Sequence, residues 1–307
     1  MLENMKLSGA RVNMPLGTRI AMYRGHSSQI GAVAWSPDGL SLASAGGHDT
    51  IHVWNVTTGK DTLMYPGHSG WVHDVAWAPH STRIASANGD RTVKVWDTAT
   101  GETLLTYRGH SEWVQAAQWS PDGRYIASAG GDRTVQVWDA TTGDTILLVD
   151  NAVWVNAVSW SPTGQHIASG ADNAAVLIID LSTGSTVFTL GLPDSVLSVA
   201  WSPHGMGIAS ACFDGMVRVQ DAFTGNTTLT CIGHTDQVLA VAWSVDGTRL
   251  ALAGADNTVR LWDIITGENI YTYRGHTDWV NAVSWSPDGR YIASASRDRT
   301  VQVWEAR

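Results

Sequence analysis

Tryptophan recurs along this 307-residue chain as Trp35, Trp77, Trp119, Trp160, Trp201, Trp243 and Trp285, at spacings of 42, 42, 41, 41, 42 and 42. A period of about 40 to 45 residues held over most of a chain marks repeated units that bury their faces against neighbours, as propeller blades do. The windows 109–138 and 275–304 share 23 of 30 residues, so these two units must occupy nearly equivalent environments. The spacing therefore divides the chain into seven like units rather than two unlike domains.

Each unit reads as four strands. The reference tryptophan is followed by a tight-turn signal such as Ser120-Pro121-Asp122-Gly123, in which proline and glycine supply the backbone angles of a hairpin loop. A short apolar run follows (Tyr125 to Ala129), then a polar break, then the alternating segment Thr134-Val135-Gln136-Val137-Trp138. Period-two alternation of β-branched and apolar residues indicates strands. A second glycine turn at 140–143 leads into a further strand, Asp144 to Leu148. The last unit reaches only a third strand at Val303-Trp304-Glu305, while Gly17 to His26 parallels Gly267 to His276. Residues 18–23 are therefore expected to complete the last blade and remove the open edges of the ring. Residues 1–16 read as a loose leader and 17–307 as a single domain.

Composition closes off several functions. A net charge of −9 without a basic cluster argues against nucleic-acid binding. No apolar run of about 18 residues is present to span a membrane, and the first residues lack the core of a signal peptide, so a cytoplasmic location is expected. Cys212 and Cys231 form neither a metal-ligand cluster nor a disulfide framework, and read as reduced, structural thiols. No metal and no cofactor are expected. Without a secretory context, the sequons at Asn55 and Asn226 read as chance matches.

The Gly-His pairs at 25, 67, 109, 233 and 275 and the Trp-Asp pairs at 96, 138 and 262 resemble the WD40 repeat across all seven units. The near-identical repeats also resemble WD40 arrays of bacterial multidomain proteins. This resemblance implies an all-β, seven-bladed β-propeller of four-stranded antiparallel blades. It also implies a His–Ser–Trp–Asp hydrogen-bond tetrad inside each blade. Full sets stand in blade 2 (His68, Ser86, Asp90, Trp96), blade 3 (His110, Ser128, Asp132, Trp138) and blade 7 (His276, Ser294, Asp298, Trp304). Blade 1 carries His48 in the aspartate slot beside Asp49, and blade 6 has Leu252 for serine. Blades 4 and 5 depart furthest, with Asn151, Asn173 and Ile179 in one and Leu192 and Gln220 in the other.

A hydrolase uses serine, histidine and aspartate once, at one cleft; here they recur blade after blade, which favours structure over catalysis. HExxH, GxSxG, GxxxxGK and GxGxxG are all absent, so the chain is read as non-catalytic.

Specificity is sought where similar blades differ. Six residues before the reference tryptophan stand Trp71, Trp113, Trp154 and Trp279 in blades 2, 3, 4 and 7; four before it in the same blades stand His73, Gln115, Asn156 and Asn281. The resemblance places these at the rim of the central channel, together with Asp172, Phe213 and Arg297. Tryptophan joins a large apolar area to an N–H donor and is enriched at interface hot spots, so this face is expected to bind a peptide or protein loop. Two alternatives stand beside that reading. The rim could hold a sugar or a methylated cation against the indole faces, with Glu112 and Asp278 assisting the cation. The ring could instead be a regulatory or self-associating module of a larger bacterial signalling protein. The plain alternative for the four tryptophans is packing against neighbouring blades. A monomer is expected, with self-association open.

Overall fold

The computed structural model describes residues 14–47 and 50–307. Among these, seven four-stranded antiparallel sheets are present, arranged as the blades of a ring. Blade 3 shows the plan. Its innermost strand is Val114–Trp119, followed outward by Tyr125–Gly130, Thr134–Asp139 and Thr145–Asp150. The second strand is buried along nearly its whole length, whereas the outer strand alternates towards solvent. The cause is position: the second strand has a blade on each side, so it is a run of small residues, Ile-Ala-Ser-Ala, that lets sheets approach closely.

The core lies between blades. One cluster joins Ala85, Ala87, Val93 and Val95 of blade 2 to Val114, Trp119, Ile126 and Trp138 of blade 3, and equivalent clusters fill the other seams, including that between blades 7 and 1. Burial of this kind stabilises only when a neighbouring blade is present.

The reference tryptophans explain the period that defines the sequence. The indole Nε1 of Trp77 donates to the carbonyl of Ala34 in the preceding blade at 3.2 Å, and that of Trp119 to Ala76 at 3.1 Å. Trp35, Trp160, Trp243 and Trp285 make the same bond backwards. Each innermost strand is thus tied to the one before it. Trp201 is the exception and donates to Gly205 of its own turn at 3.0 Å; at that seam the Ser159 hydroxyl accepts the N–H of Trp201 instead.

The ring closes as expected. Arg19–Tyr23 pairs antiparallel with Val301–Glu305, placing Tyr23 opposite Val301 and Ala21 opposite Val303, with a register shift between Arg19 and Ala21. Gly17 N–H to Glu305 and Glu305 N–H to Thr18, both 2.8 Å, extend the pairing. Of the residues read as a loose leader, 1–13 lie outside the described residues, and Leu16 packs on the seam between blades 6 and 7. His48 and Asp49 also lie outside the described residues.

Candidate functional site

The repeated histidines are built into the blades. In blade 3, His110 Nε2 meets Ser128 Oγ at 2.8 Å and its Nδ1 meets Asp132 at 2.8 Å, while Trp138 Nε1 donates to Ser128 Oγ at 3.1 Å. Blade 7 repeats the histidine bonds through Ser294 and Asp298, both 2.8 Å, and blade 2 through Ser86 at 2.7 Å and Asp90 at 3.1 Å. The fourth member departs from expectation: Trp96 and Trp304 Nε1 find no hydrogen-bond partner. Those indoles are held by stacking, with Tyr65 on Trp96 at 4.5 Å and Tyr273 on Trp304 at 4.9 Å between ring centroids. Tyr107 stacks on Trp138 and Tyr23 on Trp54 in the same way.

Burial pushes the Asp132 and Asp298 carboxyls upward, but bonds from His110 and His276 and from Thr134 and Thr300 outweigh it and hold both below the usual carboxylate range. The side chains of His68, His110 and His276 have no exposed surface. A general base must reach its substrate, so these histidines serve the blades. Among the described residues no group of three or more His, Cys, Asp or Glu is placed to hold a metal. Cys212 and Cys231 are free and buried; burial raises their thiols to about 11 and about 12, which keeps them in the unreactive form.

The variable positions gather at one end of the channel. In every blade, the N–H of the residue before the tetrad aspartate slot donates to the carbonyl six before the reference tryptophan: Gly89 to Trp71, Gly131 to Trp113, Asp172 to Trp154, Phe213 to Ser195 and Arg297 to Trp279 among them. These two positions are therefore locked together, and their side chains share one space. Blades 2 and 3 pair tryptophan with glycine, blade 5 pairs serine with phenylalanine, and in blade 7 the Arg297 guanidinium lies 3.7 Å over the Trp279 ring.

The mouth of the channel is a cavity of about 400 Å³ lined by Gln29, Gly31, Trp71, His73, Gln115, Asn156, Leu197, Phe213, Gln237, Leu239, Trp279, Asn281 and Arg297. Trp71 reaches it by lying across blade 1, where Gly31 and Gly47 leave room; a Cβ on either would stand 3.1 Å from the indole. Trp113 and Trp154 stand apart from the residues that line the mouth. Trp113 folds back onto Gly131, where a Cβ would come within 2.5 Å of the ring, and Trp154 meets it edge-on at 5.3 Å. Trp154 is 51% exposed, Phe213 50% and Trp71 36%. Asn156 donates to Asp172 at 2.7 Å and to the Val196 carbonyl at 3.0 Å, and Asn281 donates to the Ile30 carbonyl at 2.8 Å. Burial lowers the proton affinity of His73.

Residues 17–55, 225–263 and 267–305 match the family model described as WD domain, G-beta repeat. Residues 71–238, more than half of the chain, match one described as IFT122 first beta-propeller. The chain belongs to the WD40-repeat family. A search among curated proteins finds no match.

Within this WD40 ring, eight of the eleven side chains expected at the rim line one mouth, Trp113 and Trp154 form a separate pair beside it, and Asp172 stands next to it as the acceptor for Asn156. Sequence reasoning missed the stacking tyrosines, although Tyr23, Tyr65, Tyr107 and Tyr273 each stand three residues before a repeat histidine. It also passed over Asp74, an acidic residue on the innermost strand of blade 2, because attention went to the positions on either side of it.

Proposed function

We propose that this WD40 propeller is a non-catalytic interaction scaffold that holds a peptide or protein loop of its partner across the mouth of the channel. The observation that carries this reading is convergence. Trp71, Phe213 and Trp279 share one concave mouth with the amides of Gln29, Gln115, Asn156, Gln237 and Asn281. Aromatic faces supply apolar contact at little entropic cost, and amides match the donors and acceptors of an extended backbone. The tetrad histidines lie out of reach, which favours binding over chemistry.

A cage for a methylated cation is less well supported: Trp279 already carries Arg297 on its face, and Trp113 and Trp154 meet at 72° away from the mouth.

The test is selection of peptides from a displayed random library on the immobilised protein. Binding is then measured to Trp71→Ala with Phe213→Ala, and to Phe223→Ser with Ile265→Ser. The latter pair sits in turns between third and outer strands, at the opposite end of the ring, and is exposed. A loss of at least about tenfold with the first pair and none with the second is expected. The reverse pattern would place the interaction on the other face.

A further inference from the structure

Three residues before the reference tryptophan, the innermost strands carry Ala32, Ala116, Ala157, Ala240 and Ala282 in five blades, Ser198 in blade 5 and Asp74 in blade 2. All seven line the channel, a space of about 730 Å³. One carboxyl therefore stands in a ring of methyl-sized side chains. Its Oδ2 accepts the N–H of Ala117 on the next innermost strand at 3.1 Å, and the N–H of Val75 also bonds it. Among the described residues no arginine or lysine pairs with it. Burial raises this carboxyl to about 7 despite those two bonds.

Capping the free edge of blade 3 does not require a charge. The equivalent cap between blades 5 and 6 is the Ser198 hydroxyl, which accepts the Val241 N–H at 3.3 Å, and five blades place alanine there. Asp74 is partly buried on the channel wall, and a carboxylate there with no counter-charge beside it is favoured by a cationic partner.

We propose that Asp74 anchors a cationic side chain, an arginine or lysine of the bound peptide or loop, that enters the channel through the mouth. The proposal rests on the top-face reading and gives it a chemistry. His73 lines both the mouth and the channel, and Asp74 lies one residue beyond it, about 3.3 Å further along the strand. The stem of an arginine or lysine spans that depth. Trp71, lying over Gly31 on the blade 1 side of the entrance, and Trp279 offer apolar surface to the stem. Among the described residues, Arg297 is the sole arginine or lysine lining the mouth, and it is occupied over Trp279. Asp172 stands at the rim beside Asn156 and adds negative charge there.

The experiment takes peptides selected from the random library on wild type and measures their affinity for Asp74→Asn, which keeps an acceptor for Ala117. Asp74→Ala, the residue of five other blades, is the second variant, and thermal melting checks that each is folded. The expected result is a basic residue at a constant position in the selected peptides. Affinity should fall at least about thirtyfold both on Asp74→Asn and on replacing that residue by norleucine. Peptides that depend on Trp71 but lack a basic residue, or that bind Asp74→Asn and Asp74→Ala as tightly as wild type, overturn the proposal while the top-face reading stands. A library that yields no peptide sensitive to Trp71→Ala with Phe213→Ala overturns both.

Discussion

Blades 3 and 5 grow from one repeat and settle their inner polar positions in opposite ways. In blade 3 the Trp138 indole stacks on Tyr107 from blade 2 and donates to Ser128, which also meets His110. In blade 5 the corresponding places hold Gln220, Leu190, Ser210 and Leu192, and Ser210 Oγ and Gln220 Oε1 are buried without partners. Trp201, at the end of the innermost strand of blade 5, is also the reference tryptophan that turns to its own loop. The comparison teaches how the inner polar set is lost in blade 5: without the indole the serine has no donor, leucine stands in place of the stacking tyrosine and the histidine slot is apolar, although in blades 2 and 7 the His–Ser and His–Asp bonds stand without an indole bond. Blade 5 nevertheless keeps all four strands, because its sheet bonds and the apolar seams on either side do not depend on that unit.

The largest effect expected from this contrast is at the indole. Trp138→Ala should lower stability by about 3–5 kcal/mol, as removal of a large core aromatic does, whereas Gln220→Ala should stay within about 1 kcal/mol of wild type, since it removes an amide oxygen that is already unsatisfied and a single long bond from Nε2 to the Gly225 carbonyl at 3.4 Å. Urea unfolding of the two variants decides it, and equal losses would show that the blades bear load alike.

A smaller effect separates the two serines. Ser128→Ala strands His110 Nε2 and Trp138 Nε1 and should cost about 1–3 kcal/mol. Ser210→Ala removes a hydroxyl with no partner and should cost less than about 0.5 kcal/mol, so a comparable loss at both positions breaks the comparison.

The smallest effect is confined to acid. Asp132 and Asp298 have folded-state affinities for protons below that of an unfolded aspartate, near 4. Their contribution is therefore complete above about pH 4 and is lost as pH falls through their depressed range. Amide exchange followed from about pH 5 downwards should show blades 3 and 7 losing protection relative to blade 4, whose corresponding slot holds Asn173, a side chain without a proton to gain in this range. Parallel loss in all three would show that the His–Asp bonds confer no local stability.

The period of the tryptophans was enough to establish the number of blades, their four strands and the closing role of residues 18–23, because each follows from local alternation, turn chemistry and exact repetition. The tetrad and the rim came from the resemblance to the WD40 repeat, and the period supplied only which residue of each blade fills a given slot. Where each side chain points was not. Trp71 and Trp113 occupy the same slot, yet one spans the mouth and the other folds onto its own blade; the difference lies in Gly31, Gly47 and Gly131, two of them in a neighbouring blade. The setting of Asp74 likewise depends on the adjacent blade, whose Ala117 N–H its carboxyl accepts. A repeat specifies the surroundings that its copies share, whereas packing across a seam depends on two different copies at once, and only the assembled ring brings those together.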